Sequence, residues 1–354
     1  MKRKILYLSL LDILFILIVW NINLYFSLII ILVSFVLFSS AFVFLVANKF
    51  YKKTNHWQNK FSFHKNFISN TGYRDNISRN FEIINLGSNP ALFGFFYEKI
   101  RGQNWATGSQ GLPMDFEILK YFHSYLKHGG VVLIPIMPFT AISQYIKTKP
   151  NYWSDDYYIK FASLLDSAQV KEFDRNKNYY RRLKYPLFYN PKNIKYLFHD
   201  IAPDKRLEVS SQSLSMLELE QDARIWIQGW MKEFDINSME ECYSKRFQQY
   251  YEESAKIMNE IIDFCLIREL KPVLITLPMS PALDNMFNDE FRKRMIIDFV
   301  TRVNKRNIPF LDYWNKHLFN DSSFYMNSFF FNLTGRKEFT NQVIQDLRKQ
   351  KILN

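Results

Sequence analysis

Hydropathy along the chain first shows an apolar block over residues 5–48, broken by one charge, Asp12, and by the triplet Asn21-Ile22-Asn23. After a polar, aromatic stretch at 49–79, which reads as a linker with some local helix, a strand–helix alternation begins. FEIINLG (81–87), VVLIPI (131–136), VLITLP (273–278) and IPFLDY (308–313) are short apolar runs suited to buried strands. MDFEILKYFHSYLK (114–127) has apolar residues at helical spacing, with Gly129-Gly130 as its stop signal. Further helices are predicted over 247–269, 287–304 and 335–350, the last started by Thr334-Gly335. Residues 138–246, rich in Tyr, Trp and Lys, read as a mostly helical insertion.

Strands that are continuously apolar rather than alternating are buried on both faces. The pattern therefore predicts an α/β fold with a parallel sheet in a three-layer arrangement. Ligands of such sheets lie beyond the carboxyl ends of the strands. Here those ends carry Gly87-Ser88-Asn89, Met137-Pro138 and Pro278-Met279-Ser280.

The N-terminal block is too long for one span, since a helix over 5–48 would reach roughly 65 Å, about twice the hydrocarbon thickness. The triplet at 21–23 divides it into helices at about 5–21 and 24–48, a hairpin anchor within 1–53, followed by the main domain at 54–354. Lys2, Arg3 and Lys4 precede the hairpin, and Lys49, Lys52 and Lys53 follow it. The positive-inside rule then places both ends, and the domain, in the cytoplasm. The alternative is one span at 24–47 behind an interfacial segment, with the domain outside. Asp12 lies near the end of a span and is read as facing the interface. The apolar block is longer than a signal peptide and lacks a small-residue cleavage site.

Composition adds less. The 354 residues are 48% apolar and 18% aromatic, enough for a sizeable core. The net charge of +12 is spread along the chain and no nucleic-acid-binding signature accompanies it, so no nucleic-acid partner is expected. Of the two cysteines, Cys265 lies in IIDFCLI and reads as a core thiol; a disulfide with Cys242 is left open. The histidines are scattered: His123 and His128 read as structural, and His317 as surface or interface. No metal-ligand spacing is present, and no metal or cofactor is expected. YYRRLKYP (179–186) suggests contact with lipid or a partner. Trp226, Trp230 and Trp314 could stack on sugars, though helix and core packing is the expected use.

The candidate chemistry rests on three stretches: INLGSNPALFGF, then ATGSQGLPMDFEILKYFHSYLKHGGVVLIPI, and SFYMNSFFFNLTGRKEFTNQVIQDL near the C-terminus. Together, over about 81–136 and 271–350, they resemble the SGNH (GDSL-like) hydrolase superfamily. The likeness is to membrane-anchored members that serve cell-surface polysaccharide acylation, such as the D-alanyl lipoteichoic acid transfer and alginate acetylation proteins. The resemblance implies a serine nucleophile in the first motif, and in the last a histidine that activates it and an aspartate that orients the histidine. With Gly87 as the motif glycine, the nucleophile position falls on Asn89 and Ser88 lies one residue early. With Asn332 and Gly335 setting the last register, the aspartate position falls on Asn327 and the histidine position on Phe330. Gly108 matches the oxyanion glycine, but Met137-Pro138-Phe139 follows strand 131–136 where the family carries a Gly-x-Asn-Asp motif.

A serine hydroxyl needs a base within reach. The expectation is therefore a protein without hydrolase chemistry, a binding or accessory protein in cell-surface polysaccharide synthesis or acylation. Its expected partners are membrane lipid and a glycan or a membrane acyltransferase. The alternative is an active carbohydrate esterase or O-acyltransferase that uses Ser88. The resemblance implies an extracytoplasmic domain, against the cytoplasmic side implied by the basic flanks.

Overall fold

The computed structural model describes residues 10–16, 24–57, 80–108, 110–149, 184–199, 211–314 and 317–353. The chain forms two compact units, residues 1–57 with 178–202, and residues 58–177 with 203–354.

In the first unit, residues 10–16 are helical. The triplet expected to turn the hairpin lies outside the described residues. Helix α1 (Leu24–Tyr51) follows. Its segment Tyr25–Tyr51 is 27 residues long, long and apolar enough to cross a membrane. It is apolar all round rather than on one stripe, and its most apolar stretch is not covered by the rest of the chain. That pattern suits a lipid environment better than a protein surface. Residues 184–199 return to its C-terminal end as a one-turn helix, Pro186–Tyr189, and a 3₁₀ segment, Pro191–Leu197. The segment 138–246 is thus divided between the two units.

The second unit is built on a five-stranded, wholly parallel sheet. Its strands are β1 (Phe81–Asn85), β2 (Gly102–Asn104), β3 (Leu126–Ile136), β4 (Lys271–Thr276) and β5 (Phe310–Asp312). They lie in the order β2-β1-β3-β4-β5. Residues 130–136 of β3 and 272–276 of β4 are buried without interruption, so both faces of the central strands are covered. The helices of this unit include α2 (Leu112–Phe122), α3 (Met216–Phe234), α4 (Gln248–Ile267), α5 (Asp298–Val303) and α6 (Leu333–Lys349). Helix α3 starts from a capping box of Ser215 and Glu218 and stops at Asp235 in the left-handed conformation. The described parts of 138–246 within this unit are helical: the 3₁₀ segments Thr140–Thr148 and Met239–Tyr243, and α3.

Two local expectations are corrected, and one strand is new. Gly129-Gly130 does not stop a helix. Helix α2 ends at Phe122, a 3₁₀ turn spans His123–Tyr125, and both glycines lie inside β3. Gly129 has φ +68° there, beside a register shift in the β1–β3 pairing. Strand β2 was not foreseen, because Gly-Gln-Asn carries no apolar residue. Helix α6 begins at Leu333, with Asn332 rather than Thr334-Gly335 as its start signal: the Asn332 side chain accepts from the Gly335 N–H at 3.0 Å.

The two cysteines are free and buried. Burial pushes each thiol up to about 12.

Candidate functional site

The strand order reverses between β1 and β3, and ligands of open α/β sheets bind beyond the carboxyl ends at such a point. A cleft of about 1010 Å³ opens there. Its floor is the turn after β1, where Gly87 has φ +112°. A side chain at Gly87 would meet Ala91 Cβ at 2.8 Å and Pro135 at 3.1 Å, so only glycine lets the turn lie against β3.

A buried polar set fixes this turn. Asn85 on β1 donates to Asn104 Oδ1 at 2.8 Å. Asn104 Nδ2 in turn reaches the carbonyls of Ala91 and Leu92, each at 3.0 Å, and of Phe95 at 3.2 Å. These bonds tie the short helix Asn89–Leu92 and the chain after it to β2. Asp115 on α2 accepts from the Gly87 N–H at 2.8 Å and from Gln110 Nε2. Burial raises the Asp115 carboxyl to about 7, the two hydrogen bonds offsetting part of that shift.

Ser88 and Asn89 both line the cleft. Ser88 holds the cap position of Asn89–Leu92, and its side chain makes no cap bond. Gly108 comes to the same place, since a Cβ there would lie 2.9 Å from Asn89 Oδ1. Phe330 lines the same cleft, stacked on Phe93 with centroids 5.1 Å apart and edge-on to Trp226 at 5.3 Å. Asn327 does not line the cleft. Its Oδ1 accepts from the backbone N–H groups of Phe329 and Phe330 at 2.9 and 2.7 Å, which fixes the chain that presents the ring. The structure therefore brings Gly87, Ser88, Asn89, Gly108 and Phe330 together, with Asn327 as a support behind them.

Among the described residues, the histidines lie elsewhere. No histidine is among the residues lining the cleft. His123 bonds the Lys120 carbonyl, His128 pairs with Glu269 on the surface, and His56 stacks on Tyr196 in the first unit. His64 lies outside the described residues. The residues that set the last motif's register have structural uses: Asn332 caps α6, and a Cβ on Gly335 would meet the Phe324 carbonyl at 2.4 Å.

Three features escaped the sequence reading. The first is Asp115, whose signal was an acid on the apolar stripe of α2, three and four positions before Ile118 and Leu119. The second is Asp222 on α3, which accepts from the Ser328 hydroxyl at 2.5 Å and the Ser328 N–H at 2.8 Å and so ties α3 to the Phe329-Phe330 turn. The third is Gln144, buried in the cleft wall with Oε1 lacking a hydrogen-bond partner among the described residues. Trp226 and Trp230 line the cleft while also packing on each other and on Phe329. Trp314 is buried and donates to Asp284 at 2.5 Å, a packing role. Among the described residues no group of three or more His, Cys, Asp or Glu is placed to hold a metal ion.

The cleft lining combines aromatic rings with hydroxyl, amide and carboxyl groups. Among the described residues it offers Ser88 no imidazole base. Compared with models of known families and with curated proteins, the chain matches none.

Proposed function

We propose that this is a membrane-anchored, non-hydrolytic binding protein with an SGNH-like frame, whose cleft holds a polyhydroxylated ring such as a sugar of a cell-surface polysaccharide. It acts as an accessory to the synthesis or acylation of that polymer, beside a membrane acyltransferase. The observation that carries the reading is Phe330 lining the same cleft as Ser88 and Asn89, with no histidine lining it among the described residues. Aromatic bulk there excludes a base and supplies a stacking face. The unpaired Gln144 acceptor supports a ligand rich in hydroxyl donors, because a buried acceptor gains most from a donor brought by the ligand.

The test uses the full-length chain in detergent, native and as Ser88→Ala. Both are exposed to a fluorophosphonate probe and to p-nitrophenyl acetate, then titrated with acetylated and unacetylated oligosaccharides. The expected result is no labelling, no turnover above buffer, and saccharide binding at least tenfold weaker in Trp226→Ala. Labelling lost in Ser88→Ala would overturn the non-hydrolytic reading. A reporter fused after Asn354 distinguishes the cytoplasmic side favoured by the basic flanks from the extracytoplasmic side that polysaccharide acylation requires.

One observation favours a second reading, an esterase or O-acyltransferase using Ser88. Asp115 lines the same cleft, and burial raises its carboxyl to about 7, which makes it a candidate base beside that turn. Turnover abolished by either Ser88→Ala or Asp115→Asn would select it.

A further inference from the structure

The first unit carries a feature that the cleft does not use. Residues 184–199 come back to the C-terminal end of α1 and are fastened to it by a buried polar latch. Asn48, buried on α1, accepts from the Leu187 N–H at 2.9 Å, and its own Nδ2 donates back to the Phe44 carbonyl at 2.8 Å. Leu187 and Tyr51 are fully buried at this joint. Phe188 stands edge-on to Phe44 with centroids 6.2 Å apart. Phe44 precedes Tyr51 by seven residues, which sets that ring about 10 Å below the helix end.

The returning segment does not bury its apolar side chains. Phe188 is 70% exposed and Phe198 78%, and Tyr189 and Ile194 are exposed as well. Lysines accompany them in the sequence: Lys184, Lys192 and Lys195 on the segment, and Lys49, Lys52 and Lys53 at the end of α1. Neither 45–57 nor 184–199 contains an acidic residue. Burial and the charge of Lys184 both lower the affinity of Lys52 for its proton. Exposed aromatics in a lysine-rich, acid-free segment fastened to the end of an apolar helix match the boundary of a bilayer: rings at the acyl edge, ammonium groups at the phosphates.

We infer that residues 184–199 form a second membrane contact, an interfacial foot that seats Phe188 and Phe198 in the leaflet at the C-terminal end of α1 and binds anionic lipid headgroups through its lysines. The inference rests on α1 being a membrane span.

The experiment reads both statements separately. The full-length chain is labelled with a nitrobenzoxadiazole fluorophore through Val36→Cys, in the middle of α1, or through Phe198→Cys. The native cysteines are buried, which restricts labelling to the new position. Each protein is reconstituted into vesicles of phosphatidylcholine with 30% phosphatidylglycerol, on the order of the anionic content used to probe polybasic segments. Lipids with nitroxides at shallow or deep acyl positions serve as quenchers.

The foot predicts strong deep quenching from position 36 and strong shallow quenching from position 198. It also predicts a several-fold loss of quenching at 198 when phosphatidylglycerol is omitted or Lys192→Glu/Lys195→Glu is added. Quenching at 36 with none at 198 would overturn the foot and leave the span standing. No quenching at 36 would remove the span, and the foot with it. Quenching at 198 that ignores both phosphatidylglycerol and the lysine changes would overturn the headgroup assignment.

Discussion

Asp115 and Gly87 are joined by a buried hydrogen bond of 2.8 Å that runs from the backbone at the end of β1 to a carboxyl on α2. The bond fixes the turn bearing Ser88 and Asn89, and it does so with a group that burial has brought to the edge of ionisation. The floor of the cleft is therefore coupled to pH.

The sign of that coupling follows from the two states. Unfolded, Asp115 titrates at its ordinary 3.8; folded, it titrates at about 7. The folded protein keeps this proton over a range where the unfolded chain has released it. The stability Asp115 contributes is complete below about pH 4 and falls as pH rises through about 7, by at most about 1.4 kcal/mol per pH unit. Urea midpoints of the wild type and Asp115→Asn, taken between pH 4 and 8, should differ with that slope. Asp115→Ala should lose about 1–3 kcal/mol throughout, since it leaves a buried N–H unpaired. Parallel pH profiles for wild type and Asp115→Asn would sink the idea.

Phe330→Ala should destabilise the chain by about 3 kcal/mol, because Phe93 and Trp226 both lose a ring partner. Asn327→Asp should be close to neutral and Asn327→Ala should cost about 1 kcal/mol, since only the second removes the acceptor for two backbone N–H groups. Chemical denaturation of the three variants checks the order.

The start of α6 gives a graded pair. Asn332→Ala should cost about 1 kcal/mol, the usual worth of a cap. Gly335→Ala should cost more, because its Cβ would press on a backbone carbonyl rather than on a yielding side chain. Equal losses would show that the close approach matters less than the cap.

Both thiols should be silent to Ellman's reagent at pH 8 in the folded protein and react in denaturant, as burial and their raised values require. Fast reaction of either one in the native state would mean that its part of the core opens readily.

What could be read from the residues was what burial writes as runs of apolar side chains: β1, β3, β4 and β5, the long helices, and the apolar block that became α1. Strand β2 escaped because Gln103 and Asn104 are buried for hydrogen bonding rather than for hydrophobicity. Gly129 and Gly130 misled because a glycine pair marks a helix stop by frequency, while here it lets β3 step in register beside β1. The cleft was legible in part as strand ends, Gly87-Ser88-Asn89 and Met137-Pro138 among them, whereas Gly108 and Phe330 were singled out only through the resemblance. Asp115, Asp222 and Gln144 were not, because each owes its position to a contact far along the chain or to packing that no local pattern encodes.

The latch between Asn48 and Leu187 spans 139 residues of sequence and encloses β1, β2 and β3, whereas β4 and β5 follow it. As the chain emerges during synthesis, three strands are available before the latch can close, and the central strand β3 still lacks its β4 neighbour. Closing the latch first would confine those strands to a loop tethered at both ends, which lowers the entropy they lose on pairing. Loosening the joint at the end of α1 with Asn48→Ala should slow refolding if the latch closes before the sheet is complete, and leave the rate unchanged if the sheet forms first.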